Sequence, residues 1–294
     1  MEVRRFDTAM AFLDTAGTFL CRDEAGHNLL LGIAAGLRDA GAPDDEPAPY
    51  LAAVVAGSRV VGASVMTPPR GLVLSHVDDP AAVDLLAHDL YQFYPTLPTV
   101  LGPDESAHPF THAWCDLSGQ PGRLRVAERV YQVETVVPVR DVPGHLRRAA
   151  ADDRALLIAW MAAFGREALG EDNGPGAARV VDRRLTAPTA SAGLYLWHDG
   201  RPASLIGYSG PTPHGIRIGP VYTPPPLRGH GYASAGVAAT SQLLLDEGRR
   251  WCFLFTDRAN PTSNHIYQAI GYRPVCDVDE YAFDPPRNAL GESS

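Results

Sequence analysis

The 294-residue chain contains no lysine: all 25 of its basic side chains are arginine, against 34 acids, for a formal net charge of -9. Arginine, alanine, glycine and proline enrichment is the composition of a GC-rich genome, and one chemical consequence is that the chain has no lysine side chain of its own to be acylated. Net negative charge without a run of arginine argues against nucleic acid or an anionic membrane as the main partner. Cysteine is scarce: Cys21, Cys115, Cys252 and Cys276 are far apart, with no C-x-x-C, which fits neither a zinc site nor a disulfide framework. Reduced, buried thiols in a cytoplasmic protein are therefore expected. The ten histidines form no H-E-x-x-H cluster, and no metal site is expected. No apolar run approaches the roughly 18 residues that span a bilayer, and MEVRRFDTAMAFLDTAGTFL lacks a secretory h-region and cleavage pattern.

What is present suggests two parts. The length predicts about two domains of ordinary size. Residues 1–145 hold 19 acids and 10 arginines, whereas 146–294 hold 15 of each, so the charge imbalance lies in the first half. At 45% hydrophobic residues, the chain can bury a core without staples. Apolar spacing predicts two helices over 7–40, an APDDEPAP loop, a hairpin YLAAVVAG/RVVGASVM, a strand in TPPRGLVLS and a helix over 80–95. A strand is expected at RVYQVETVV, and the Pro-rich PVRDVPGHLRRA reads as an inter-domain joint.

The pattern then starts again. DDRALLIAWMAAFGREALG reads as an amphipathic helix with Leu156, Leu157, Trp160, Met161 and Phe164 on one side. EDNGPG reads as a flexible loop and ARVVDRRL as a short helix; GLYLWHDGRPASLIGYSG is a hairpin and HGIRIGPVYTPP a strand. ASAGVAATSQLLLDEGRR is a helix, WCFLFTD a buried strand and SNHIYQAI a helix, with a last strand after Tyr272. A faint repeat aligns Gly62–Leu74 with Gly207–Ile218. Chance in a Gly/Pro-rich chain is the alternative, but matching element order favours duplication.

The chemistry sits in Val221-Tyr222-Thr223-Pro-Pro-Pro226-Leu-Arg228-Gly229-His230-Gly231-Tyr232-Ala233-Ser234. It places Gly-x-Gly between a strand and a helix. Two residues without Cβ atoms let backbone N–H groups crowd a ligand, and the helix start supplies unpaired donors and a positive dipole end. That is an anion site, with pyrophosphate the natural occupant, and Arg228 adds a forked cation. A tight turn with no ligand is the alternative for Gly-x-Gly alone. G-x-x-x-x-G-K-[ST] is absent, and Ser234 stands where G-x-G-x-x-G needs glycine.

About 30 residues on comes Asn260-Pro-Thr-Ser263-Asn264-His-Ile266-Tyr267-Gln-Ala-Ile270-Gly271-Tyr272. With the preceding loop, this resembles the GNAT superfamily of N-acetyltransferases, whose motifs read Gln/Arg-x-x-Gly-x-Gly/Ala and Asn-x-x-Ser-x-x-(Leu/Ile)-Tyr-x-x-x-Gly-(Phe/Tyr). The second motif is met at every named position. The first departs at Pro226, where the family has Gln or Arg; backbone donors do most of the cradling, so weaker affinity is the expected consequence.

The resemblance covers roughly 145–284 and implies an α/β fold with a mixed sheet, in two GNAT-like domains of twisted, mostly antiparallel sheet flanked by helices. Residues 1–140 would be a degenerate copy and 145–294 the catalytic domain. After its corresponding strand the first half reads Ser75-His-Val-Asp78-Asp79-Pro80, with carboxylates where a pyrophosphate would sit. The implied activity moves an acetyl group from acetyl-CoA to a primary amine by direct attack in a ternary complex. Backbone N–H groups at Val221–Thr223 would face the oxyanion, and Arg228 to Ser234 would hold the pyrophosphate. Asn260 would orient the cofactor arm or cap a helix. Tyr267, an acid with a usual pKa of about 10, would protonate the leaving thiolate. His214, Glu167, Tyr208 and His198 are candidates for a general base, and none is singled out. A non-enzymatic acyl-CoA sensor is the alternative, against which an intact Tyr267 counts. The acceptor is a small-molecule or peptide amine, and a homodimer is left open.

Overall fold

The run YLAAVVA at 50–56 is apolar at every position, which suits a strand covered on both faces. In a computed structural model that describes residues 1–41, 47–170 and 174–286, the first half is built around this strand. Its elements are β1 (Glu2–Arg5), α1 (Ala9–Leu20), α2 (Asn28–Ala40), β2 (Tyr50–Ala56), β3 (Arg59–Met66), β4 (Leu72–Leu74), α3 (Ala81–Tyr91), β5 (Thr99–Pro103), α4 (Asp104–Ser118) and β6 (Gly122–Val133). β1 to β4 pair antiparallel in sequence order, and β4 pairs parallel with β5. Alternate residues of β2 enter opposite cores. Leu51, Ala53 and Val55 pack with Phe12, Phe19 and Leu30, while Tyr50, Ala52 and Val54 pack with Leu86, Leu90 and Phe110.

The second half repeats the order element for element: β7 (His145–Arg148), α5 (Arg154–Phe164), α6 (Gly174–Thr186), β8 (Ala192–Asp199), β9 (Arg201–Ser209), β10 (Gly215–Tyr222), α7 (Tyr232–Asp246), β11 (Trp251–Asp257), α8 (Pro261–Ala269) and β12 (Arg273–Phe283). β7 to β10 pair antiparallel in sequence order, and β10 pairs parallel with β11. β8 divides its side chains as β2 does: Leu194 and Leu196 face a core with Leu157 and Val181, Tyr195 and Trp197 one with Val237 and Leu244. The fold is mixed α/β, as expected.

Two compact units result, and neither is one continuous stretch. The first gathers Met1–Val130, Thr256–Asn260 and the described part of Pro274–Ser294; the second gathers Tyr131–Phe255 and Pro261–Arg273. The cause lies in the last strand of each repeat. β12 pairs antiparallel with β5, Val278 opposite Pro103 and Ala282 opposite Thr99, and Phe283 joins the first unit's core with its ring 6.3 Å from Trp114. Conversely Tyr131 and Val133, at the end of β6, lie in the second unit's core with Ile216, Cys252 and Leu254. The end of β6, from Tyr131, thus belongs to the second unit, and β12 from Pro274 on belongs to the first. A cut at 140–145 falls between repeats in chain order and does not separate these units.

Two local expectations need correction. Within the Pro-rich segment read as a joint, His145–Arg148 forms β7, in register with β8 from His145 opposite His198 to Arg148 opposite Tyr195. Within EDNGPG, 174–176 open α6, while 171–173 lie outside the described residues, as do 42–46 of APDDEPAP. No helix among the described residues is long and apolar enough to cross a membrane.

Candidate functional site

β10 and β11 part company early. Their parallel pairing runs only from Gly215–Arg217 against Trp251–Phe253. β10 nevertheless stays on β9 as far as Tyr222, opposite Leu205, after a bulge between Ile218 and Val221. Between Ile218 and Tyr222 its far edge therefore has no strand partner among the described residues, the arrangement an extended ligand can use. Val221 and Thr223 are half-buried there, and Tyr222 is buried. Ser204 Oγ lies 2.9 Å from Thr223 Oγ1 and donates to the Tyr222 carbonyl at 3.2 Å, fixing this end of the strand.

Beyond β10 the chain makes a short 3₁₀ turn, Pro225–Leu227, with Pro226 in its middle, and reaches Gly229 and Gly231 with φ of +81° and +80°. Such angles suit glycine. A Cβ at Gly229 would meet nothing within 4 Å, whereas one at Gly231 would lie 2.8 Å from Val142 Cγ2. Gly231 is the N-cap of α7, and among the described residues no side chain caps the helix start. Tyr232, Ala233 and Ser234 form its first turn. A glycine-rich approach to an uncapped helix N-terminus is a donor set that fits a phosphate group.

The side chains around this turn are ordered by one another. Arg228 donates from Nε to the Thr223 carbonyl at 2.9 Å and from Nη2 to Glu167 Oε2. Glu167 Oε1 accepts the Tyr222 hydroxyl at 3.0 Å. The Arg228 guanidinium holds the Glu167 carboxyl below the usual carboxylate range, with the Tyr222 hydrogen bond adding to it. His230 Nδ1 lies 2.9 Å from the Arg228 carbonyl, and its ring stacks on Tyr232 at 5.5 Å. Tyr232 in turn donates to Asp199 Oδ2 at 2.7 Å.

Tyr267 comes from α8. That helix is seated by Tyr131, whose hydroxyl donates to Asn264 Oδ1 at 2.9 Å and accepts from Gln268 Nε2 at 3.0 Å. Tyr267 packs against the second unit's core, its ring 6.1 Å from Tyr272, and its hydroxyl has no hydrogen-bond partner among the described residues. Loss of water pushes its phenol up to about 12. Asn260, counted with the first unit, stands directly before Pro261, and its N–H donates to the Asp257 carbonyl at 3.0 Å.

The other base candidates separate. His214 precedes β10, whose eight residues put it about 25 Å from the Gly-x-Gly end at strand rise. There it belongs to a shallow hollow of about 290 Å³ lined also by Thr189, Pro213, Leu244 and Arg249. Tyr208 is buried and donates to the Thr189 carbonyl at 3.0 Å, and burial pushes its phenol up to about 12, as suits a structural group. His198 lies in β8 with its ring 5.6 Å from His145. Only Glu167 is brought against the loop, by a π-helical turn, Gly165–Leu169, that prolongs α5. Trp160 lies 6.2 Å from the Tyr222 ring, while Trp197 is buried and donates to the Pro143 carbonyl. Cys252 is fully buried, which pushes its thiol up to about 12.

Residues 159–272 match the model of the acetyltransferase (GNAT) family. Among curated proteins, none matches this chain in sequence. Solved structures share the fold across nearly the whole chain. An acetyltransferase of the GNAT family from Colwellia psychrerythraea matches with TM-score 0.57 at 10% identity, covering 97% of this chain and 100% of its own. A tandem GNAT protein from the clavulanic acid biosynthesis pathway matches at 0.57 and 14% identity, covering 96% and 98%. A GCN5-related N-acetyltransferase from Sphaerobacter thermophilus matches at 0.57 and 18%, covering 95% and 94%.

Proposed function

Since residues 159–272 constitute a domain of the acetyltransferase (GNAT) family, we propose that the chain transfers an acetyl group from acetyl-CoA to a primary amine, both bound at once. The observation that carries this is the uncapped start of α7 behind Gly229 and Gly231, at the end of a strand that has left its parallel neighbour. Acetyl-CoA would supply the activated acyl thioester. The N–H groups of Gly229 to Ser234 would hold its pyrophosphate, with Arg228 as the side-chain cation. His230 and Tyr232, locked together and to Asp199, would keep the loop in shape. The end of β10 and the residue after it, Val221–Thr223, would line up the rest of the cofactor and present N–H donors where negative charge grows on the acetyl oxygen.

Tyr267 would give a proton to the departing sulfur. At about 12, its phenol is a weaker acid than an ordinary tyrosine, so the proton would move as the carbon–sulfur bond breaks. For Asn260 the role stays what the motif implies, orienting the cofactor arm or the start of α8. Within this reading, 145–294 is the catalytic domain and 1–140 a copy that has lost the loop. There Asp79 Oδ1 accepts from the Ala81 N–H at 3.0 Å, so a carboxylate already occupies the helix start that the second repeat leaves open. The test is turnover: acetyl-CoA with a panel of primary amines, free thiol being measured. Thiol release that depends on the amine supports the reading; none with any amine refutes it.

A further inference from the structure

Glu167 spends both carboxylate oxygens on the loop region, one on the Tyr222 hydroxyl and one on Arg228. It reaches them because α5 ends in a π-helical turn, a rare wide turn that recurs at functional sites. The partner tyrosine is buried and offers an aromatic wall. Trp160 stands 6.2 Å from its ring, and the Arg228 guanidinium lies 5.9 Å above it. A carboxylate beside an aromatic face is a receptor for a cation. Here that cation is the protein's own Arg228.

Arg228 is weakly committed to this place. It is exposed, as is Glu167, and its other hydrogen bond goes to the neighbouring Thr223 carbonyl. Exposed ion pairs of this kind are weak. A diphosphate beside the start of α7 would meet Arg228 one residue from Gly229 and offer it a bidentate partner of higher charge.

We propose that Glu167 and Tyr222 form the subsite for a positively charged group of the acceptor, a guanidinium or ammonium, and that Arg228 fills it until the cofactor's diphosphate draws that arginine away. The inference rests on the acetyltransferase reading and deepens it. Glu167 is then a specificity-determining residue, and binding is ordered: cofactor first, cationic acceptor second. Its carboxyl stays ionised at neutral pH whether or not Arg228 is present, since an unperturbed glutamate titrates at about 4.3.

The experiment uses calorimetry on the full chain with CoA, agmatine (a guanidinium at one end, a primary amine at the other) and n-hexylamine, which lacks the second charge. Agmatine should bind CoA-saturated protein at least tenfold more tightly than free protein, and at least tenfold more tightly than hexylamine does. Glu167→Gln should abolish that preference, yet bind CoA as well as wild type or up to about threefold better, having lost an exposed competitor for Arg228. A merely structural role would weaken both ligands together. Agmatine affinity that is indifferent to CoA, equal to that of hexylamine, or unchanged in Glu167→Gln overturns the inference while leaving the acetyltransferase reading intact. Failure of the wild-type chain to bind CoA overturns that reading and the inference with it.

Discussion

Gly229 and Gly231 share one backbone conformation but different surroundings, so alanine at each separates what the loop needs for folding from what it needs for binding. Both have φ near +80°, where an L-residue costs about 1–2 kcal/mol. At Gly229 the added methyl meets open space, so that strain is the whole penalty to stability. In a chain of this size it should lower Tm by roughly 2–8 °C. The same methyl would project into the space assigned to the pyrophosphate and should weaken CoA binding at least tenfold, about 1.4 kcal/mol. At Gly231 the methyl lies 2.8 Å from Val142 Cγ2. Ordinary carbon contacts are about 3.5–4.0 Å, so something must shift, and overpacking adds about 1–3 kcal/mol to the strain. Val142→Ala removes that contact. Thermal melts of Gly231→Ala, Val142→Ala and the double variant form a cycle whose coupling energy should be favourable by about 1 kcal/mol or more. Zero coupling would refute the packing argument. Gly229→Ala that binds CoA like wild type would refute the phosphate-loop assignment.

Three further outcomes follow from other parts of the structure. Tyr267→Phe should lower kcat by about 10²–10⁴ with CoA affinity nearly unchanged; because burial raises the phenol to about 12, the wild-type rate should show no loss from its ionisation below about pH 10, and a descending limb near neutrality that vanishes in the variant would contradict this assignment. Asp153, mostly buried, accepts from both Arg147 terminal nitrogens at 2.8 Å and from the Ala150 N–H at 2.9 Å. Arg147 thereby holds its carboxyl below the usual range, so its stabilisation is present above an unfolded pKa of about 3.9 and is lost as pH falls through the lower folded value. Asp153→Asn should cost about 1–2 kcal/mol at pH 7 in urea melts, with the gap to wild type closing below pH 4. A fragment of residues 145–294 should fail to give a cooperative melt, because it lacks the Tyr131 and Val133 side chains of its own core; a well-folded fragment that binds CoA would disprove the exchange of final strands.

How far the sequence could be read depended on whether a signal was local. β2, β3, β8, β9 and β11 are apolar enough to be recognised one by one, because each is buried on both faces. β1 and β7, EVRR and HLRR, are largely exposed and carry no apolar alternation, so only the pairing partner reveals them. α4 is polar overall and contains Pro109, yet Ala107, Phe110 and Trp114 at helical spacing bury its inner face. The Gly-x-Gly turn and the segment around Tyr267 are each continuous in the chain, so their spacing could be read directly. Glu167 was one of four undistinguished candidates, because its contacts lie 55 and 61 residues away and depend on a π turn that no propensity signals. The strand exchange was likewise hidden: RVYQV and RPVCDVDEYAF look alike as final strands, and periodicity does not name a strand's neighbour.

That exchange bears on how such a chain can change over generations. A duplicated gene normally leaves one copy free to decay and disappear once it has lost its activity. Here the first repeat supplies Tyr131 and Val133 to the second unit's core, and the second repeat supplies Phe283 to the first unit's core. Deleting either repeat would therefore remove part of the other unit's core. On the reading proposed above, selection on the second repeat alone would preserve the first as a foldable sequence, because the second unit's core includes Tyr131 and Val133.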